Sequence, residues 1–117
     1  MANLIAVLST GKGTWGHVNG LINGEQWDKI YLLTNDFGKD TFKADEKTEL
    51  MVFNFNEKVE EISKQMEDKL KDKISGEVGV NFISGTGKEH MALISALMKL
   101  GVGFRLMVST MEGVKEL

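Results

Sequence analysis

The chain has 117 residues, 42% hydrophobic and 26% charged, and this composition predicts one globular domain spanning residues 1–117. Its net charge of −3 supplies no overall positive field, so we expect neither DNA binding nor attachment to an anionic membrane. The absence of cysteine excludes disulfides, thiolate metal sites and a cysteine nucleophile, and is consistent with a reducing, cytoplasmic compartment.

Apolar stretches recur along the chain at the spacing expected for strands. The N-terminal run Leu4–Leu8 is uniformly apolar, which predicts a strand buried on both faces. We do not expect a signal peptide, because no basic segment precedes this run. No apolar run approaches the ~20 residues that a membrane-spanning helix needs. The predicted strands are Leu4–Leu8, Lys29–Leu33, Leu50–Phe55, Val78–Ile83 and Phe104–Val108.

Helices are predicted between these strands, at Trp15–Ile22, Glu57–Ile74 and Glu89–Leu100. The second has the clearest pattern, an apolar stripe in steps of three or four residues, and Asn56 is predicted to cap it. Gly16 and Gly20 weaken the first, because each lowers helix propensity by ~1 kcal/mol relative to alanine. The polar segment Thr34–Lys47 is predicted as a loop with at most one helical turn, and Thr110–Leu117 as a short terminal helix or tail.

This alternation of strands and helices predicts an α/β fold of the Rossmann-like type. We expect about five mainly parallel strands in the order 3-2-1-4-5, with helices on both faces of the sheet. In this order the chain reverses its direction of winding between strands 1 and 4, and ligands bind beyond the carboxyl ends of the strands at such a reversal. The loops after these two strands, Ser9–Thr14 and Ser84–Lys88, are therefore the predicted ligand site.

Both loops are rich in residues that suit a phosphate-bearing ligand. Their glycines allow a close backbone approach, their hydroxyls can donate to phosphate oxygens, and the helix start beyond each loop favours an anion. Lys12 and Lys88 supply positive charge. The candidate ligand-binding residues are Ser9, Thr10, Gly11, Gly13, Thr14, Ser84, Gly85, Thr86, Gly87 and Lys88. A purely structural interpretation stays open, in which Ser84 or Thr86 only caps a helix.

Two familiar nucleotide-binding motifs fit less well. A P-loop is excluded because Lys88 is followed by Glu89, and Phe82 stands where the first glycine is required. Residues Gly11–Gly16 match the bare dinucleotide pattern G-x-G-x-x-G, and Asp36 lies near the end of the second strand, where an acidic residue would support that motif. The lysine inside the loop and the second glycine-rich loop do not belong to the dinucleotide motif.

The two loops resemble those of the CRISPR-associated Rossmann fold (CARF) sensor domains. The matching residues are Ser9-Thr10-Gly11 after the first strand, and Ser84–Lys88 followed by Met91-Ala92-Leu93 after the fourth. The resemblance implies a homodimer that binds a cyclic oligoadenylate in antiviral defence. It also implies that the fourth-strand loop holds the phosphate-ribose backbone while the first-strand loop lines the site.

Some members of this family also cleave the ligand, as ring nucleases. By resemblance, a ribose 2′-hydroxyl would attack the adjacent phosphate without a metal. Lys12 or Lys88 would then neutralise the developing charge as candidate catalytic residues, and His17 or His90 would transfer a proton. No cofactor is expected, and the two histidines lack a recognisable zinc-site spacing. Two other classes stay open: a small regulator that binds a mononucleotide or dinucleotide, and a structural, oligomer-forming domain without a ligand.

Overall fold

The computed structural model describes residues 2–9 and 12–117, with the side chain of Lys12 outside the description. The strands are β1 (Asn3–Leu8), β2 (Ile30–Thr34), β3 (Thr48–Val52), β4 (Glu77–Asn81), β5 (Gly103–Thr110) and β6 (Gly113–Glu116). The helices are α1 (Trp15–Gly24), α2 (Asp36–Thr41), α3 (Val59–Leu70) and α4 (Gly87–Leu100), with a 3₁₀ turn at Lys12–Thr14 before α1. None of the helices in the described residues combines the length and the hydrophobicity that a membrane-spanning segment requires.

The described strands form a six-stranded sheet in the order β3-β2-β1-β4-β5-β6. Strands β1 to β5 are parallel, whereas β6 runs antiparallel to β5. The predicted Rossmann-like α/β fold with the strand order 3-2-1-4-5 is confirmed. The order reverses between β1 and β4, so the carboxyl ends of these two strands lie side by side.

Strand β1 contributes to a separate core on each face of the sheet, because alternate side chains of a strand point to opposite faces. On one face, Ile5 and Val7 pack in a core with apolar residues of α3 and α4. On the other face, Leu4, Ala6 and Leu8 pack in a second core with apolar residues of α1. All five side chains are 0% exposed. The first strand is therefore covered on both faces, as its uniformly apolar sequence predicts.

Strands β3 and β4 both stop earlier than predicted, at Val52 and Asn81. In each case an asparagine side chain turns the chain locally. Asn54 Oδ1 accepts a hydrogen bond from the Asn56 N–H at 3.0 Å, and Asn81 Oδ1 accepts one from the Ile83 N–H at 3.1 Å. The residues predicted to end these strands therefore belong to the loops at the carboxyl edge of the sheet.

Two helix starts also differ from the predicted ones. Helix α4 begins at Gly87 rather than Glu89, because Thr86 and Glu89 form a capping box at its N-terminus. The backbone N–H of Thr86 donates to Glu89 Oε1 at 3.3 Å, and its hydroxyl donates to Oε2. The prediction that Asn56 caps α3 is wrong: the N-cap position is taken by Lys58, whose side chain makes no capping hydrogen bond.

Gly20 and Gly24 of α1 lie against the hairpin formed by β5 and β6. A Cβ at Gly20 would overlap the Ser109 side chain, and a Cβ at Gly24 would lie 2.8 Å from Val114 Cγ2. The helix approaches the hairpin more closely than side chains at these positions permit, so this packing offsets the low helix propensity. Gly16 lies one turn earlier, and a Cβ there would meet nothing within 4 Å.

The prediction that Thr110–Leu117 is a short helix or tail is wrong. Gly113 adopts a φ of +112° and turns the chain back, so that β6 forms alongside β5. The Thr110 hydroxyl donates to the Gly113 carbonyl at 2.7 Å across this turn, and the Leu117 N–H donates to the Leu106 carbonyl at 2.9 Å. A glycine in a short polar segment was the available hairpin signal.

The polar segment after β2 contains the six-residue helix α2, which is longer than the single helical turn expected there. Asn35 caps it, with Oδ1 accepting from the Gly38 N–H at 3.0 Å. A Cβ at Gly38 would overlap the Thr34 hydroxyl, so the helix lies directly on the end of β2. Phe42 follows the helix and packs edge-on against Trp15, with ring centroids 5.6 Å apart.

Candidate functional site

The loops after β1 and β4 meet at the carboxyl edge of the sheet. The backbone N–H of Ser9 donates to Ser84 Oγ at 2.9 Å, and the two hydroxyl oxygens lie 3.3 Å apart. Ser84 is 0% exposed, so its hydroxyl links the loops from inside the fold. Trp15 Nε1 donates to the Ser9 carbonyl at 3.0 Å. Ser9 is thus held by hydrogen bonds from both Ser84 and Trp15. Ser9 and Ser84, which are both predicted site residues, are in direct contact.

Part of the predicted first loop lies outside the described residues. This applies to Thr10 and Gly11, and to the side chain of Lys12. Gly13 is exposed, and a Cβ there would meet nothing within 4 Å. Thr14 occupies the N-cap position of α1, but its side chain makes no capping hydrogen bond. Within the described part of this loop, Ser9 is therefore the residue with defined contacts to the second loop.

Gly85 determines the shape of the loop after β4. It has a φ of +101°, and a Cβ there would lie 2.8 Å from Val7 Cγ1 and 3.1 Å from His90 Nε2. A side chain at this position would be strained both by its backbone conformation and by its neighbours. His90 Nε2 in turn donates to the Ser84 carbonyl at 2.8 Å. The loop is therefore fixed from β1 on one side and from α4 on the other.

Lys88 places positive charge at the exposed start of α4. Its Nζ donates to the backbone carbonyl of Phe55 at 3.0 Å, which joins this helix to the loop after β3. Among the side chains described in the two predicted loops, it is the only basic one. An anion bound at this edge of the sheet would therefore meet Lys88.

A cleft of about 720 Å³ opens beside the two loops, toward the ends of β2 and β3. We call it the β2–β3 cleft. Ser9 and Thr86, both predicted site residues, form one side of it. The wall contributed by the other loops includes Asn35, Asp36, Phe37, Asn54, Phe55 and Asn56. Of these, only Asp36 is a ligand candidate on sequence grounds. The other residues could have been found from their position, because each closely follows the end of a parallel strand, where α/β sheets bind ligands.

The lining of the β2–β3 cleft is rich in hydrogen-bond acceptors and contains no lysine or arginine among the described residues. Both carboxylate oxygens of Glu89, which is 5% exposed, bind Thr86. Asp36 is exposed, so it is the carboxylate more accessible to a ligand. Phe37 is also exposed and lies against Trp15, with ring centroids 5.9 Å apart. The cleft therefore offers acceptors and an aromatic surface rather than positive charge.

Both histidines have structural partners. His17 Nε2 lies 3.2 Å from the Ser109 backbone nitrogen, whose N–H donates to it, and 3.2 Å from Asn81 Nδ2. His17 thus joins α1 to β4 and β5, whereas His90 supports the Ser84 loop as described above. In residues 2–9 and 12–117, no group of three histidine, aspartate or glutamate side chains could hold a metal ion.

The dinucleotide pattern at Gly11–Gly16 is matched only in part by the geometry. In that motif the third glycine permits close packing between helix and strand. A Cβ at Gly16 would meet nothing within 4 Å, so this glycine does not serve such a contact. Asp36 does follow β2 and lines the cleft, as the motif requires of its acidic residue.

Comparisons with known proteins do not assign the chain to a family: no family model matches it, and no curated protein matches it at a significant level. The resemblance to CARF sensor domains therefore stays a prediction based on the residues of the two loops. What the structure adds is the Rossmann-like strand order and the contact between those loops.

Proposed function

We propose that this chain binds a phosphate-bearing nucleotide of the cyclic oligoadenylate type at the loops after β1 and β4. The observation that carries the proposal is the contact between Ser9 and Ser84, which joins two loops rich in glycine and hydroxyl groups. They meet at the reversal of strand order, where open α/β sheets bind their ligands. The resemblance to CARF sensors supplies the ligand class.

The start of α4 is the proposed phosphate position. The dipole of this 14-residue helix favours an anion at its N-terminus, and Lys88 adds a full positive charge there. Glu89 already accepts the Thr86 backbone N–H, so that donor is not available to a ligand. We therefore place the phosphate on the exposed side of the helix start, beside Lys88.

Equilibrium binding of fluorescently labelled cyclic tetra-adenylate tests this position. Lys88→Ala is expected to weaken binding about 10- to 100-fold, because a hydrogen bond to a charged group contributes about 1.5–3 kcal/mol. Lys99→Ala is the matched control, since it removes the same charge from an exposed position in the last turn of α4. Equal losses in both variants would contradict the assignment to Lys88, and no binding by the unsubstituted protein would contradict the proposal itself.

The proposed binding unit is a homodimer formed through the exposed apolar surface beside the second loop. Met91 and Met98 on α4 are 66% and 70% exposed, and Ile83, Leu106 and Leu117 are further exposed apolar residues. Ile83 and α4 flank the Ser84–Lys88 loop. A second copy of the chain on this surface would therefore bring two such loops to one cyclic oligoadenylate, whose repeated nucleotides could occupy both.

Sedimentation equilibrium tests the proposed dimer: the unsubstituted protein should be a dimer, and Met98→Glu should be a monomer. A monomeric unsubstituted protein would contradict this arrangement.

Cleavage of the ligand requires a separate test. In the proposed step the ribose 2′-hydroxyl loses its proton to water, and its oxygen bonds to the adjacent phosphorus. The bond from phosphorus to the 5′-oxygen breaks and that oxygen takes a proton from water, giving a 2′,3′-cyclic phosphate and a 5′-hydroxyl. Lys88 is the described cation placed to neutralise the added charge. Chromatography should detect this product with the unsubstituted protein and not with Lys88→Ala. Intact ligand after prolonged incubation would restrict the function to binding.

A further inference from the structure

We infer that the β2–β3 cleft binds the ribonucleoside part of the ligand, and that Asp36 distinguishes ribose from deoxyribose there. This inference rests on the proposed function, because it assumes that a phosphate of the same ligand is held beside Lys88. It adds a second subsite with its own chemistry and assigns it a role in specificity.

The composition of the cleft indicates which part of a nucleotide it suits. Its described lining contains Asp36, three asparagines and two hydroxyl residues, but no lysine or arginine. Carboxylate and amide oxygens accept hydrogen bonds from hydroxyl and amino groups. A carboxylate repels a phosphate because both are negatively charged, and a neutral amide does not compensate the phosphate charge. The hydroxyls of a ribose and the exocyclic amine of adenine are such donors. The cleft is therefore complementary to a nucleoside and the Lys88 region to a phosphate.

The two subsites are close enough to serve one ligand. Lys88 Nζ lies 3.0 Å from the carbonyl oxygen of Phe55, and Phe55 itself lines the cleft. Ser9 and Thr86 also belong to both the predicted loops and the cleft. A nucleoside in the cleft could therefore carry its phosphate to Lys88 without a spacer. The cleft volume of about 720 Å³ lies within the ~300–1,000 Å³ typical of small-molecule sites.

Asp36 stands where a carboxylate can accept from ribose hydroxyls. Leu8 and Thr34 are neighbours in the register of β1 and β2, so the chain segments that follow them leave the sheet side by side. Ser9 and Asp36 consequently line the same cleft. In dinucleotide sites an acidic residue after the second strand of a Rossmann-like sheet binds the ribose 2′-hydroxyl, and Asp36 occupies the corresponding position after β2. In a cyclic ligand with 3′–5′ linkages, the 3′- and 5′-oxygens of each ribose are bonded to phosphate. The 2′-hydroxyl is therefore the ribose group that can still donate a hydrogen bond.

The remaining wall suits a nucleobase. The rings of Phe37 and Phe55 provide apolar surface against which a base can stack. Asn54 Oδ1 already accepts from the Asn56 N–H, which leaves the Asn54 side-chain NH₂ to donate to a base nitrogen. Asn56 offers both a donor and an acceptor, the pairing that asparagine makes with adenine.

Binding of cyclic tetra-adenylate and of its all-2′-deoxy counterpart tests the role of Asp36. The unsubstituted protein should prefer the ribose form by about 10-fold or more, because the deoxy form leaves the carboxylate without its donor. Asp36→Asn should reduce this preference to about 2-fold or less, whereas Asp40→Asn, on the same helix α2 but outside the cleft lining, should retain it. The preference is a ratio, so a general change in charge does not alter it.

The outcomes separate this inference from the proposed function. Binding without a preference for ribose, or a preference that survives in Asp36→Asn, would overturn the inference and leave the proposed function standing. If cyclic tetra-adenylate does not bind, the proposed function fails, and adenosine 5′-monophosphate becomes the probe. Shifts of the Asn54–Asn56 amide NMR signals on addition of adenosine 5′-monophosphate would then support the ribonucleoside site, provided that the shifts are smaller in Asp36→Asn. If these signals do not shift in the unsubstituted protein, the inference is overturned.

Discussion

Gly85→Ala is predicted to destabilise the fold because it disturbs the loop after β4 in two ways. Gly85 has a φ of +101°, a conformation that residues with a side chain rarely adopt. An added Cβ would also lie 2.8 Å from Val7 Cγ1 and 3.1 Å from His90 Nε2. Val7 is 0% exposed in β1 and His90 is bound to the Ser84 carbonyl, so neither can move away without loss of a contact.

The magnitude follows from these two contributions to the free energy of unfolding. A strained backbone conformation costs about 1–3 kcal/mol, and overpacking a well-packed interior costs about 1–3 kcal/mol. Together they predict a loss of about 2–6 kcal/mol. An unfolding entropy of ~2.1 cal/mol/K per residue means that each kcal/mol lowers the Tm of a chain this long by ~4 °C. We therefore expect the Tm of Gly85→Ala to fall by about 8–24 °C.

Differential scanning calorimetry of Gly85→Ala and Gly87→Ala measures this difference within one loop. Gly87 is the first residue of α4, its φ is not positive, and a Cβ there would meet nothing within 4 Å. Alanine at that position should leave the Tm unchanged or raise it by a few degrees, because it reduces the freedom of the unfolded chain. Equal Tm values for the two variants would refute the reasoning about Gly85.

Three further predictions concern the packing that supports the site. Gly20→Ala should lower the free energy of unfolding by about 1–3 kcal/mol, because the added Cβ would overlap the Ser109 side chain of the hairpin. Gly16→Ala should raise it by up to ~1 kcal/mol, because alanine has the higher helix propensity and its Cβ would meet nothing within 4 Å. Urea unfolding compares the two variants. Leu97→Ala should cost about 2–5 kcal/mol in the same assay, against less than about 0.5 kcal/mol for Met111→Ala, whose side chain is exposed; similar values would contradict the assigned core. His17→Phe should cost about 1–3 kcal/mol, because it leaves the backbone N–H of Ser109 in β5 without its acceptor; an unchanged thermal midpoint would contradict that role.

The strand order could be predicted because local patterns determine it in this chain. The uniformly apolar Leu4–Leu8 indicated a strand covered on both faces, and alternation with helices limited the sheet to few topologies. The β6 hairpin was missed because its signal in the sequence is a single glycine, Gly113, whose positive φ forms the turn. The close packing of Gly20 on Ser109 was missed because that contact joins distant parts of the chain.

The candidate site was predicted only where topology alone decides it. The rule that ligands bind at the reversal of strand order placed Ser9 and Ser84 together, and the structure brings them into contact. The hydrogen bond from Lys88 to the Phe55 carbonyl joins residues 33 apart in sequence, and no local pattern indicates it. The β2–β3 cleft draws its walls from several loops, so its polar residues are dispersed among ordinary turn residues in the sequence.

Thermal unfolding with cyclic tetra-adenylate, cyclic hexa-adenylate, adenosine 5′-monophosphate and NAD tests the central claim most directly. A ligand at a hundredfold excess over its Kd raises the stability of the folded state by ~2.7 kcal/mol, or about 11 °C for a chain of this length. We predict such a shift with a cyclic oligoadenylate, reduced in Lys88→Ala. No shift with any of the four, or a shift with NAD alone, would contradict the account.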